Sequence, residues 1–473
     1  MNARPLYLAG QWRRSESTLR VHNPASGEAF DEVCTVRRPE VAQAIADAHQ
    51  ALPAWRSLTA KARGEFLRKI ADLVEQRAGE IARTITLENG KPLAQSNGEV
   101  AMTIDHLRWF AEEGRRAYGR IVPHQVDGKR HLVIKSPIGV VAAISPWNFP
   151  LVLAVRKIAP ALAAGCPVIL KPASATPLCA LMFAEAVEKA GLPAGVFQVV
   201  IGAAREIAAE FLANPLCRKI TFTGSTEVGQ ELIRGAAAGV KPLSLELGGH
   251  GPALVFDDAD LDRAVEGVAI AKYRNTGQSC IAANRVYVQR GIYPKFLERF
   301  TAHVRAMKVG DGLEAGVQIG PLINEEGLAK ALSHIEDAKK RGARVLCGGR
   351  RVGTRGWFLE PTVLADVADD SACMHEETFA PVAPVCVFDD EAEAIRRANA
   401  SSYGLSAYLF TRDVSRTFRV MEALEAGSVA VNEGVPTTTT CPFGGFKQSG
   451  WGRELGSEGL DAFLETKHVC LGL

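Results

Sequence analysis

Three side chains have the chemistry of a covalent reaction at a carbonyl group. Cys280 ends the stretch NTGQSC, and a cysteine among small and polar residues on a loop is where a thiolate stays accessible as a nucleophile. Glu246 lies in LELGGHGP, where two glycines directly after the carboxylate let the backbone bend and leave room for a reacting group, as a general base requires. Asn148, in SPWNFP on the loop after an expected strand, carries an amide suited to the oxyanion that thiolate attack on a carbonyl leaves behind. Taken singly, each has a plainer use. Most cysteines are inert small hydrophobes in a core, LELGG is also an ordinary strand end before a turn, and a loop asparagine needs no ligand.

A second group of residues suits a dinucleotide. Neither G-x-G-x-x-G nor G-x-x-x-x-G-K-[ST] occurs at a strand-to-helix turn. The stretch ITFTGSTEVGQELI offers another cradle: a strand ends at Thr223, Gly224 lets the chain turn, and Ser225 opens a helix whose free N–H groups and positive dipole end suit a pyrophosphate. Serine at a helix start is also the usual cap. Lys171, in VILKPAS, falls at the carboxyl end of a buried strand, where doubly wound sheets bind ligands. A lysine snorkelling out of a strand end is its alternative.

The elements that must position these side chains read as alternating strands and helices. From residue 138 onward, short β-branched runs alternate with helical stretches, the pattern of βαβ units around a parallel sheet. Strands are expected at 139–144, 168–170, 196–200, 220–223 and 253–256. LVLAVRKIAPALAAG has apolar residues at helical spacing (Leu151, Val155, Ile158, Leu162) and stops at Gly165, and a second helix runs from Pro177 to a stop at Gly191. Residues 39–120 read as amphipathic helices packed on this domain, with Val41, Ala44, Ile45 and Ala48 on one face. A second alternation begins near Asp257 with a helix that Asp260 caps, and it runs to about residue 440 before the Gly-rich loop PFGGFKQSGWGRE. The last segment, AFLETKHVCLGL, alternates weakly and needs a sheet edge, which a partner subunit could supply.

Composition narrows the function. The 473 residues, 47% hydrophobic and 23% charged, can bury two or three separate cores. The 55 Lys and Arg nearly balance 53 Asp and Glu, with no long run of either sign, so electrostatic capture of nucleic acid or of an anionic membrane is not expected and a small-molecule partner is. The N-terminal stretch lacks the apolar core of a signal peptide, and nothing approaches the roughly eighteen apolar residues of a membrane span, so residence in the cytoplasm is expected. The ten cysteines are scattered, with no C-x-x-C pair and no Cys/His cluster at zinc spacing, so neither a metal site nor a disulfide framework is expected.

SPWNFP, KPAS, FTGS, LELGG, GQSC, EETFAPV and PFGGFKQSG occur in that order at separations that resemble the aldehyde dehydrogenase superfamily, over almost the whole chain. That resemblance implies an α/β fold with a doubly wound parallel-sheet NAD(P)-binding domain at 1–120 and 140–246. It further implies an α/β catalytic domain at 247–440 and a β oligomerisation extension from 121–139 and 455–473, in a homodimer or homotetramer. It implies Cys280 as nucleophile, Asn148 and the Cys280 N–H as the oxyanion hole, and Glu246 as the base that activates water against the thioester. Lys171 and Glu377 match positions that hold the two riboses, Phe379 the one beside the nicotinamide ribose, and Trp147, Gly224 and Ser225 those lining adenosine and pyrophosphate. Lys157 and Glu454 match a proposed proton relay from Glu246.

At the position where NAD-preferring relatives commonly carry a glutamate, this chain has Ser174, which does not repel a 2′-phosphate; NADP is therefore expected to be accepted alongside NAD. The similarity is greatest to succinate-semialdehyde dehydrogenases, in which arginines at the positions of Arg156 and Arg274 grip the far carboxylate of the substrate, a task that suits a bidentate guanidinium. Such relatives often have a serine before PFGG, where this chain reads VPTTTTC and Thr437 or Thr438 stands in for it. A second cysteine, used in many of them as a redox switch, is replaced by Ala282, so no such switch is expected. Glutarate or 2-oxoglutarate semialdehyde, or a broad range of aldehydes, are alternative substrates. A CoA-acylating relative would not need Glu246, and a catalytically silent dinucleotide-binding protein would not need the full set of Cys280, Glu246 and Asn148.

Overall fold

The stretch VVAAI at Val140–Ile144 is apolar at every position and buried throughout, which only a sheet covered on both faces permits. The computed structural model, which describes residues 3–473, places it inside a six-stranded sheet. The order is Gly450–Trp451, Leu243–Glu246, Cys217–Thr223, Val140–Ile144, Val168–Lys171, Phe197–Val199. All pairings are parallel except that of Gly450–Trp451. The chain fills one side from Val140–Ile144 outward and then crosses to the other, so the order reverses between Val140–Ile144 and Cys217–Thr223. The crevice beyond the carboxyl ends of these two strands is where an open α/β sheet takes a ligand.

The connecting helices end as their sequences dictate. Val152–Ala164 stops at Gly165 (φ 101°) and Leu178–Ala190 at Gly191 (φ 80°), both left-handed. Three further helices, Ala60–Gln76, Ala78–Asn89 and Leu93–Glu113, pack over these two, whereas Arg38–Ser57 packs against the helix Ala204–Ala213 and the strands Val140–Ile144 and Val168–Lys171. Residues 1 and 2, which fall within the expected cofactor-binding segment, lie outside the described residues.

One strand expected in the first alternation belongs elsewhere. The segment expected at 253–256 is observed as Gly251–Val255 and lies inside a second, seven-stranded sheet; the fifth parallel strand of the first sheet is Leu243–Glu246. Both runs are short and largely buried, so periodicity cannot say which sheet each joins. In the second sheet Gly251–Val255 is flanked by Ala283–Gln289 and Ser406–Phe410. Ala253 and Val255 enter one core and Leu254 the other, the period of two that a strand buried on both faces shows.

The last strand, Leu464–Gly472, finds its edge within the chain: it pairs antiparallel along Lys129–Pro137, which also pairs with Arg120–Val122. The partner edge considered from sequence is therefore supplied in cis, and the outer edge of Leu464–Gly472 stays unpaired. No helix among the described residues is long and apolar enough to cross a membrane.

Candidate active site

Cys280 is delivered by an unusual piece of backbone. After the helix Leu261–Tyr273, Asn275 (φ 51°), Thr276 (φ 56°) and Gly277 (φ 73°) are successively left-handed, a conformation that costs non-glycine residues energy and persists only where the surroundings hold it. The Asn275 side-chain amide donates to the carbonyls of Gln278 (3.0 Å) and Asn148 (2.8 Å), which does so here. Gly249, in the turn after Glu246, has no alternative: a Cβ there would lie 2.0 Å from the Cys280 carbonyl oxygen. Gly249 thus lets the turn after Glu246 and the cysteine loop touch. Asn148 Nδ2 donates to Gln278 O (3.1 Å), one residue from Ser279 and two from Cys280, and its Oδ1 has no partner.

Glu246 ends its strand opposite Thr223. Lys157, fully buried on the helix Val152–Ala164, donates to Thr223 Oγ1 (2.6 Å) and forms an ion pair with Glu454. Glu454 reaches this place because the Gly-rich loop returns to the edge of the first sheet at Gly450, where φ is 117° and a Cβ would lie 1.9 Å from the Leu245 carbonyl. One oxygen of Glu246 is buried without a partner. Burial, and then the Glu454 carboxylate, push the Glu246 carboxyl well above the usual range against the pull of Lys157 and Arg156.

Two cavities meet at the thiol, and Cys280 is the residue common to both. The larger, about 220 Å³, lies beyond the carboxyl ends of the parallel strands and is lined by Trp147, Asn148, Gly224, Ser225, Glu377 and Phe379 among others. Ser225 caps the helix Thr226–Ala237 by accepting from Val228 N (3.4 Å), so it is a cap and a cavity residue at once. Trp147 and Phe379 meet edge to face at 5.5 Å. Glu377 accepts from Gly249 N (3.1 Å), and burial lifts its carboxyl to about 8. Lys171, in register with Ile144, has its ammonium bonded, among the described residues, only to the carbonyl of Pro172 (3.1 Å), and burial lowers it to about 8. Ser174 is half-buried in the turn just beyond. A helix N-terminus, a buried ammonium with spare donors, and a carboxylate with a free oxygen fit the phosphates and diols of a dinucleotide.

The smaller cavity, about 30 Å³, is lined by Arg156, Arg274, Thr437, Phe149 and Phe443 with Cys280. Arg156 is buried, its Nε is without a partner, and its guanidinium lies 5.1 Å from the Phe443 ring centre; that of Arg274 lies 5.0 Å from Phe149. Neither arginine forms an ion pair among the described residues. Burial, followed by the Arg156 charge, lowers the pKa of Arg274. Thr438 is exposed and outside this lining.

The model of the aldehyde dehydrogenase family matches residues 12–469. The chain belongs to the aldehyde dehydrogenase family. As a member it is an oxidoreductase that acts on aldehydes. It is 50% identical over 469 residues to succinate-semialdehyde dehydrogenase [NADP(+)] GabD of Escherichia coli (strain K12), covering 98% of this chain and 97% of that protein. It is 49% identical over 468 residues to glutarate-semialdehyde dehydrogenase of Pseudomonas aeruginosa, again covering 98% and 97%. The crystal structure of an E. coli NADP-dependent enzyme superposes with a TM-score of 0.98 at 48% identity, covering 100% of this chain and 98% of that one.

Two features of this aldehyde dehydrogenase escaped the sequence reading. Lys330, on the helix Glu325–Lys340, lines the larger cavity; a lysine on an amphipathic surface helix carries no signal that sets it apart from its neighbours. Met102 lines the smaller cavity from the helix Leu93–Glu113, with its sulfur 3.9 Å from Arg274 Nη2. Its place depends on packing between segments far apart in the chain.

Proposed function

We propose that this dehydrogenase oxidises a short aldehyde with a carboxylate at its far end, succinate semialdehyde or its five-carbon homologue, with NADP or NAD as electron acceptor. The observation that carries the reading is the pair Arg156 and Arg274, two guanidinium groups without a carboxylate partner among the described residues, in the cavity that opens on Cys280. A charge withdrawn from water without a partner is costly, and a substrate carboxylate is the anion that would relieve both. Thr437 offers that carboxylate a hydroxyl.

Cys280 sulfur adds to the aldehyde carbon as its proton passes to the Glu246 carboxylate and the carbonyl pair moves onto oxygen, and the amide of Asn148 and the Cys280 N–H receive that oxyanion. In the resting protein the thiol is neutral, since burial and then the Glu377 and Glu246 carboxylates push it up to about 12. A bound nicotinamide supplies the acceptor for the hydride of the substrate carbon. Glu377 and Lys171 would hold the riboses, and Trp147, Gly224, Ser225 and Phe379 the remainder of the dinucleotide. The thioester left on Cys280 is hydrolysed by water that Glu246 deprotonates; burial and the Glu454 carboxylate raise its affinity for that proton. Lys157 and Glu454 pass that proton on. The unpaired outer edge of Leu464–Gly472, with exposed Ile121, Leu471 and Leu473 nearby in sequence or sheet, supports assembly into a homodimer or homotetramer through the small sheet.

The test is a set of initial rates of NADPH and NADH formation with succinate, glutarate and 2-oxoglutarate semialdehydes and an uncharged aldehyde of similar length. A higher kcat/KM for the carboxylated aldehydes is expected. Equal rates for the uncharged aldehyde would leave only the general aldehyde oxidation.

A further inference from the structure

An amide that receives an oxyanion must be held to within about 0.5 Å of its productive position, yet Asn148 belongs to a loop. What holds it comes largely from a segment with no part in the reaction. Lys91, fully buried, donates to the main-chain oxygen of Asn148 at 2.6 Å, and Asn275 Nδ2 donates to the same oxygen at 2.8 Å. The Lys91 ammonium is paired at 2.6 Å with Glu99, which is equally buried. The other oxygen of Glu99 accepts from Leu151 N (2.9 Å) and Val152 N (3.3 Å), where the helix carrying Arg156 and Lys157 begins. Lys91 also lies 3.9 Å from the centre of the Phe149 ring, the same ring on which Arg274 rests.

A buried ion pair of this kind adds little net stability, because desolvation offsets the attraction. Its contacts, however, all converge on residues 148–152. We propose that Lys91, held in place by Glu99, is a positioning residue: it fixes the main chain at Asn148 and, through it, the amide that receives the oxyanion. Asn275 does the same from the cysteine loop and so ties the two halves of the oxyanion site together. This inference rests on the oxyanion role given to Asn148 above.

The experiment is a double-mutant cycle between Lys91→Met and Asn148→Ala, with kcat, the KM of aldehyde and cofactor, and the melting temperature recorded for each variant. Asn275→Gly, which keeps the left-handed backbone at that position but deletes another donor to Asn148 O, and Glu99→Gln, which removes the partner that holds Lys91, are run in parallel; Glu99→Gln keeps the role of Lys91 open to measurement if Lys91→Met does not fold. In the wild-type background Lys91→Met, Glu99→Gln and Asn275→Gly should each lower kcat about 10- to 100-fold, the cost of a small misplacement, with both KM values little changed. In the Asn148→Ala background none should lower kcat further. If Asn148→Ala alone leaves kcat unchanged, the oxyanion role of Asn148 fails. If Asn148→Ala lowers kcat and the other substitutions multiply with it, or move only the melting temperature, the positioning role of Lys91 is overturned.

Discussion

Replacing Arg274 by leucine separates recognition of the substrate from the chemistry at Cys280. In the protein without substrate, Arg274 faces Phe149 and Met102 and feels the like charge of Arg156, so its guanidinium is poorly solvated and unpaired. Leucine removes that charge and keeps an apolar side chain, and the melting temperature should hold or rise. With an ω-carboxylated aldehyde bound, the same substitution deletes a charge-assisted hydrogen bond of about 1.5–3 kcal/mol. At about 1.36 kcal/mol per decade this corresponds to a loss of about 10- to 150-fold in kcat/KM. An uncharged aldehyde of equal length makes no such bond, and its kcat/KM should stay within about twofold. The assay is the initial rate of NADPH formation with the two aldehydes side by side on wild type, Arg274→Leu and Arg156→Leu. Equal losses for both aldehydes would mean that Arg274 shapes the cysteine loop and does not bind a carboxylate. No loss for either would remove it from the site altogether.

Other expectations concern the thiol, the cofactor and the pH dependence of stability. Because the Cys280 thiol is raised to about 12 in the cofactor-free protein, its alkylation by iodoacetamide should quicken about tenfold per pH unit from pH 7 to 9; a rate that levels off near neutrality, followed by peptide mapping of Cys280, would contradict this. Ser174→Glu should raise the KM for NADP about tenfold by repulsion of the 2′-phosphate and leave NAD almost unaffected, which steady-state kinetics with each cofactor will show. Glu88 is fully buried, accepts from Leu178 N (2.7 Å) and Cys179 N (3.0 Å), and is raised to about 7 by burial. Between the unfolded value near 4.5 and 7 the folded state binds more protons at this group, so its contribution to stability is greatest at low pH and declines as pH rises to 7. Melting curves of Glu88→Gln across that range should therefore slope less steeply than wild type; identical slopes would show that Glu88 does not carry the effect.

Much of this protein was legible in one dimension, for local reasons. Glycine at 165 and 191 ends a helix because it alone enters the left-handed region cheaply, and the structure shows φ values of 101° and 80° there. Asp260 and Ser225 cap the helices they precede, each accepting from the N–H three residues on. The ordered motifs around Asn148, Lys171, Gly224, Glu246 and Cys280 resemble the aldehyde dehydrogenase family in sequence alone, because the spacing of turns after strands is written in neighbouring residues.

What the sequence did not contain was relations between distant segments. Periodicity could not say that 253–256 leaves the first sheet, since a short apolar strand fits either; the pairing with Ala283–Gln289 and Ser406–Phe410 decides it. It could not pair Lys91 with Glu99 beneath Asn148, nor set Thr437 in the cavity and Thr438 outside it. Chain-local propensity determines where a helix stops. Which charges are buried together, and so what each one can bind or hold, is decided only when the sheets and helices pack and water is excluded between them.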